Sequence, residues 1–441
     1  MTRYAAPMQQ PERPYPGYLE QVADRIRRAD PPAPPSDFDG ATALHDRIGT
    51  LVDGMRDTLL ELSHDVHDHP ELGFAEHGAV RAVVTTLAAH GIEAEVGGWG
   101  LDTAVRATTG SGGPTVALIA EYDALPDIGH ACGHNVICAT AVGAFLALHQ
   151  VADELDCTVE LIGTPAEEGG GGKELIARAG GFDDVTAALM VHPFGMDVAD
   201  HPWLGVRQVA VTYHGLTAHA AMTPFLGVNA LDAAVLAYTG VAQLRQHMLP
   251  SDRVHGIITD GGQAPNVVPD RATAHFYIRS AEPGTLTTLT DRVRAILESA
   301  AAATGTTAEL TWDPCPPYLP VRNNRPLAAR YAVNVADRGR QVLPRGIAPT
   351  SLAASTDLGN ISVRVPAIHP LLAIAPPEVT IHSPEFAEWA VSERADEATL
   401  DGAIGLARTA ADICFDADLR TAMTEDFDAE GGVIDVLGLL S

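Results

Sequence analysis

Cys132 and His134 stand one residue apart in HACGHN, residues 130–135, directly after the acid-containing stretch EYDALP at 121–126. A thiolate and an imidazole are borderline-soft donors that suit zinc and its neighbours. By itself a Cys-x-His pair is more often structural than metal-binding. Two further groups change that reading: the adjacent carboxylates Glu167 and Glu168 in TPAEEGGGGK (164–173), and His192 in VHP (191–193). The chemistry such a set could perform is hydrolysis. Of two neighbouring glutamates at a metal, one coordinates the cation and the other takes a proton from the attacking water.

The elements that must carry these residues follow from the apolar pattern. TVALIAEYDAL (115–125) begins as a buried strand, VICATAVGAFLALHQVADEL (136–155) is a long apolar helix, and TVELIGTPAEE (158–168) and VTAALMVHP (185–193) are further strands. LHDRIGTLVDGMRDTLLELSHDVHDHPELG (44–73) has helical spacing and stops at Pro70. Strand and helix in alternation predict an α/β fold, a mainly parallel sheet covered by helices in a three-layer domain. In such sheets chemistry gathers at the carboxyl ends of the strands, where Cys132/His134, Glu167/Glu168 and His192 all fall.

After Trp203 the pattern changes to strand, helix, strand, strand, helix, which predicts an α+β ferredoxin-like domain over 205–314 inserted into the first. The first domain is expected to cover 41–204 and 315–441, with PAIHPLLAIAP (366–376) a core strand and 400–419 a closing helix. Residues 1–40 form a proline-rich arm, densest at 30–40, with a candidate helix at 18–29. The glycines of EEGGGGKE (167–174) do not make a phosphate loop: Lys173 is followed by Glu174 where a hydroxyl is required, and the carboxylates would repel phosphate. Lys173 is read as a surface residue, His64, His67 and His69 as structural, and His130 as a neighbour of the site.

The chain has 441 residues, 46% of them hydrophobic, and a formal charge of −29. That charge argues against a nucleic-acid partner, and no apolar run is long enough for a membrane span. The first residues lack the apolar core of a secretory signal. Five irregularly spaced cysteines offer no disulfide framework, so a cytoplasmic chain with free thiols is expected.

Taken together, HDHPELGFAE, AEYDALPDIGHACGHN, GTPAEEGGGGK, VHP, HGLTAHAA, NALDAAV, VHGIITDGGQAPNVVP and STDLGN resemble the di-metal aminoacylase and carboxypeptidase family, peptidase family M-twenty. The likeness is greatest to its amidohydrolase branch, on the side of the β-alanyl-lysine dipeptidase and the p-aminobenzoyl-glutamate hydrolase subunit. The resemblance implies two divalent metal ions held by Cys132, His134, Glu168, His192 and a C-terminal histidine. That histidine is His382 in IHSPEF, with His369 in AIHP its rival. Zinc suits the thiolate, with manganese, cobalt or nickel as alternatives. It further implies Glu167 as general base, and Asp123 as a support that orients a metal-bound imidazole. His219 would reach across a homodimer to polarise the scissile carbonyl. Asn266 would be a second donor and Arg279 a clamp for a substrate carboxylate. The inserted domain would serve as lid and dimerisation surface. The implied activity is hydrolysis of an amide bond in an N-acyl or β-aminoacyl amino acid or small dipeptide. The other class open to these residues is a non-catalytic metal-binding, ligand-binding or interaction protein on the same scaffold.

Overall fold

A computed structural model describes residues 17–29, 42–347, 349 and 353–440. Helix α1 (Tyr18–Arg27) is the described part of the N-terminal arm; the proline-dense stretch at 30–40 lies outside the described residues. Helices α2 (Thr42–Gly54), α3 (Arg56–Asp68) and α4 (His77–Ala89) precede the sheet. The helix expected from 44 onward is thus two helices, broken at Met55, whose backbone (φ −99°, ψ 10°) leaves the helical range.

The central sheet is built from β1 (Glu95–Val96), β2 (Val105–Gly110), β3 (Thr115–Glu121), β4 (Thr158–Thr164), β5 (Ala187–Leu189) and the late strand Ala367–Ile368. Its order is β1-β2-β4-β3-β5 followed by that late strand. β3 pairs in parallel with β4 and β5, β2 runs antiparallel to β4, and the short β1 closes that edge antiparallel to β2. Side chains of β3 alternate between the two faces, as the two-residue period of a strand requires. Val116, Leu118 and Ala120 join the large core, whereas Ala117 and Ile119 join a smaller one with Ile162 and Ile176.

Between β3 and β4, helix α5 (His134–His149) is apolar on every side, and all its residues from His134 to Leu148 are buried. A helix of that kind has to be enclosed, and it lies between β3 and a long helix near the C-terminus, Glu393–Phe415. Helix α6 (Gly172–Arg178) covers the opposite face.

The strand expected over 185–193 is divided. After β5 the chain turns at Met190–Val191, and β6 (His192–Phe194) pairs with a different strand, Leu371–Ala373, in a separate two-stranded sheet. Pro193 and Pro370 have no N–H to offer a continuing ladder. His192 is thereby carried beyond the edge of the main sheet.

A second, antiparallel sheet holds β7 (Gly205–His214), β8 (Arg253–Asp260), β9 (Arg271–Ser280) and β10 (Thr307–Trp312) in the order β10-β7-β9-β8. Helices α7 (Ala230–Leu244) and α8 (Pro283–Thr304) pack on one face of it around a separate core that includes Val209, Val211, Phe276 and Val293. This is the ferredoxin-like arrangement anticipated from the sequence pattern.

The chain then returns to the first body through α9 (Arg325–Asn334), α10 (Leu358–Ser362), β11 (Ala367–Ile368), β12 (Leu371–Ala373), α11 (Pro384–Trp389), α12 (Glu393–Phe415), α13 (Ala417–Ala429) and α14 (Val436–Leu440). Cys157, immediately before β4, and Cys414, near the end of α12, form a disulfide across 257 residues of sequence. The expectation of five free thiols is corrected, and the argument for a reducing compartment loses its premise. Spacing could not reveal the bond, because the two cysteines meet only through tertiary packing. No helix among the described residues is long and apolar enough to cross a membrane.

Candidate metal centre

Two chain segments leave the sheet by turns that set side chains, and a third segment, near the C-terminus, is fastened to the first of them. After β3, residues 122–133 loop back so that Gly133, in the left-handed region at φ 78°, opens α5 with His134 as its first residue. After β4, Ala166 adopts φ 56° and turns Glu167 and Glu168 inward. His382, at φ 60°, is tied to the first loop by its own N–H, which donates to Ala131 O at 2.8 Å. Left-handed backbone is unfavourable for residues with a Cβ, so packing must hold Ala166 and His382 in place.

The donors converge. Cys132 Sγ lies 3.4 Å from His192 Nε2, and His382 Nε2 lies 3.2 Å from Glu168 Oε1. His134 Nε2 has Glu121 Oε2 at 3.4 Å, Glu167 Oε2 at 3.9 Å and Glu168 Oε1 at 4.0 Å. Three sets, Cys132/His134/His192, Cys132/Glu168/His382 and His134/Glu167/Glu168, each place one ligand atom per residue within 4.8 Å of the others.

The orientation of both imidazoles is fixed from behind. His134 Nδ1 donates to Asp123 O at 2.8 Å and to Asp123 Oδ1 at 3.0 Å, and His192 Nδ1 donates to Pro193 O at 2.8 Å. A carbonyl oxygen only accepts, so Nδ1 carries the proton in each ring and Nε2 presents its lone pair to the cluster. The other oxygen of Asp123 accepts from the Glu168 N–H at 2.9 Å. One buried carboxylate therefore positions both a histidine and a glutamate.

Electrostatics favour a cation here. Burial, then the charges of Glu168, Glu121 and Asp357, push the Glu167 carboxyl well above its usual range. Burial holds His192 neutral, with its pKa lowered to about 3. For His134 burial opposes charge, but Asp123, Cys132 and Glu121 outweigh it and raise the group. His134 Nε2 is buried with no hydrogen-bond partner. A thiol, imidazole nitrogens and carboxylates crowded around an orphaned nitrogen form a donor set that fits divalent metal.

The cluster forms one wall of a cleft of about 390 Å³. Gln208, Tyr277 and Arg279 of the second sheet line the same cleft, as do Tyr318 and Ser355. Arg279 Nη1 donates to Ser355 Oγ at 2.7 Å, and its guanidinium lies 5.8 Å from the Tyr277 ring centre. Tyr318 donates to Glu167 O at 2.7 Å and accepts from the Gly171 N–H at 3.1 Å, pinning the glycine-rich turn. Trp203 also lines the cleft, 5.3 Å from His192 and 4.8 Å from His369 between ring centres. His369, fully buried, belongs to none of the clustered donor sets.

His219 and Asn266 are not brought to this cleft. Both are exposed and adjacent to each other, with the Ala220 N–H donating to Asn266 O at 3.0 Å. His219 Nδ1 accepts from the Ala221 and Met222 amides, which leaves Nε2 outward. His64 contacts Asp396, His67 contacts Ala387 O and His69 contacts Asp65 O, away from the cluster.

The expectation for Lys173 was wrong. Its side chain is fully buried and donates to Glu121 Oε1 and, at 2.6 Å, to Asp357 Oδ1. Burial would lower its pKa, but Asp357 and Glu121 reverse that and raise it. A signal was available: Lys173 is the single lysine of the chain, all other basic side chains being arginine.

Residues 117–400 match the family described as Peptidase family M20/M25/M40. The chain is 36% identical to the Xaa-Arg dipeptidase of Mus musculus over 401 residues, covering 87% of this chain and 92% of that one. It is 30% identical to a p-aminobenzoyl-glutamate hydrolase chain of Escherichia coli (strain K12), covering 84% and 92%. Among solved structures, the fold is similar to an aminobenzoyl-glutamate utilization protein from Klebsiella pneumoniae (TM-score 0.64, 22% identity, 82% and 96% covered). It is also similar to a dinuclear metal binding peptidase from Bacillus subtilis (TM-score 0.58, 22% identity, 82% and 98% covered). A family match over most of the chain, and a relative this similar over nearly its whole length, establish that the chain belongs to peptidase family M20/M25/M40.

Proposed function

We propose that this chain is a metal-dependent amidohydrolase that cleaves the amide bond of a small N-acyl or β-aminoacyl amino acid or dipeptide. One observation carries the reading: Cys132, His134, Glu168, His192 and His382 form overlapping donor sets, Glu167 joins the one with His134 and Glu168, and Arg279 lines the same cleft as Glu167. These five residues would hold two divalent ions, zinc being favoured by the thiolate over manganese, cobalt or nickel. When bound, such ions supply Lewis acidity for a carbonyl and bring the pKa of water down to about 7.

The chain's own residues do the rest. Glu167 is within reach of the cluster, takes the proton of the attacking water and returns it to the leaving amine. Asp123 keeps His134 and Glu168 in register with it. Arg279, already oriented by Ser355, binds the substrate carboxylate across the cleft.

The oxyanion donors His219 and Asn266 come from a second copy of the chain. Their exposure, away from their own cleft, is what supports this. So does the apolar surface around them: Leu216, Met222, Phe225 and Leu226 on the same arm, and Ile257 and Ile258 on the edge strand β8. An exposed apolar patch beside an unpaired edge is a surface to be covered by pairing, and a twofold dimer covers both copies at once.

The decisive test is hydrolysis of β-alanyl-lysine-like dipeptides, N-acyl amino acids and p-aminobenzoyl amino acids with each of the four metals. Turnover of one class is expected. Stoichiometric metal without hydrolysis of any would favour a binding protein instead. Mixing the separately inactive Glu167→Ala and His219→Ala proteins should restore activity if His219 acts across the dimer; no recovery would place it elsewhere.

A further inference from the structure

The single lysine of the chain sits beneath the metal-ligand cluster, not on the surface. Its ammonium group joins Glu121 Oε1 and Asp357 Oδ1, and its backbone N–H donates to Asp357 Oδ2 at 3.0 Å. All three residues are fully buried. The second oxygen of Glu121 has no hydrogen-bond partner and lies 3.4 Å from His134 Nε2. Glu121, Glu167 and Asp357 each place an oxygen within 4.8 Å of the others, the same spacing found in the cysteine- and histidine-containing sets. A fourth place for a cation thus adjoins the cluster, made only of carboxylates and buried throughout.

Buried carboxylates need a compensating charge, and hard oxygen donors of this kind bind divalent ions readily. We propose that the Lys173 ammonium is that charge: a built-in cation that commits Glu121 and Asp357 and keeps divalent metal out of the Glu121/Glu167/Asp357 cluster. Metal is thereby confined to the side of the cleft that carries Cys132, His192 and His382, and Glu167 stays free of a ligand's role. The inference rests on the metal reading above.

Residue choice supports it. Lys+Arg total 28, and every other position has been filled by arginine. Arginine is a planar fork, whereas lysine is a compact point charge with three donors. A site the size of a small cation, between two carboxylates, takes the second and not the first. Lys173 is a positioning residue in this account; it touches no substrate.

The test counts metal in the full-length protein. Wild type, Lys173→Met and Glu121→Gln are loaded with manganese or zinc, desalted and analysed for metal per chain. Lys173→Met is expected to bind one more divalent ion per chain than wild type. Glu121→Gln is expected to keep the wild-type number, because Glu121 is not a ligand. Equal counts in wild type and Lys173→Met would overturn the inference. So would the loss of one divalent ion per chain in Glu121→Gln, which would make Glu121 a ligand, and this second arm stands even if Lys173→Met does not fold. A wild-type protein that retains no divalent ion would instead remove the metal reading itself, a result distinguishable from either of these.

Discussion

Glu167 is the residue on which the proposed reaction turns. It is almost fully buried, its main chain is held by Tyr318, and its carboxylate faces His134 from 3.9 Å without being needed to fix either imidazole. Removing its proton-transfer ability should therefore spare the metal set. Glu167→Gln is expected to lower kcat by about 10²–10⁴-fold, the range for a lost general base, with metal content unchanged by elemental analysis. Near-wild-type turnover would mean that another group takes the proton. Cys132, His134, Glu167, Glu168 and His192 were legible in the sequence because each lies at or just beyond the end of an apolar strand, whereas His382 follows no such strand and was reached only through the family resemblance. The role of Lys173 was not legible. Its partners lie 52 and 184 residues away, and its being the single lysine sets it apart without saying where its side chain goes.

At the scale of elements, the turn between β3 and α5 places two candidate ligands, and Gly133 makes that turn possible. Its φ of 78° is left-handed, and an added Cβ would stand 2.9 Å from Pro193 Cβ and Cγ, beside His192. Gly133→Ala should therefore strain two ligand-bearing segments at once. A loss of about 1–2 kcal/mol from the backbone alone is expected, together with weaker metal binding, read by melting with and without added metal. Destabilisation that leaves metal affinity at the wild-type value would separate the turn from the site. The strand and helix order from β3 to α8 was readable from apolar periodicity, including both helices of the second sheet, whereas α4, β1 and β2 before it were not anticipated. The breaks were not: β5 and β6, and likewise β11 and β12, are continuous in hydrophobicity but join different sheets. Which sheet a short apolar run joins is decided by packing and by its prolines.

For the whole molecule, the Cys157–Cys414 bond fastens α12 to the start of β4 and so ties the C-terminal return of the chain to the sheet it completes. Cross-linking across so long a loop stabilises mainly by restricting the unfolded chain. Reduction, or Cys157→Ser, is expected to lower unfolding free energy by about 2–5 kcal/mol, measured as a shift in the urea midpoint. Coincident midpoints with and without reductant would show that the bond adds nothing. Cys132, in the cluster, is a separate thiol, so metal content should not follow reduction.

The solitary, enclosed lysine has a practical corollary. Acylating dyes and activated-ester sensor surfaces react with primary amines, and the folded chain encloses the one side-chain amine it has. Lys173 should therefore take no dye while the fold is closed. Dye found on Lys173 would report, directly and quantitatively, the fraction of molecules that had opened.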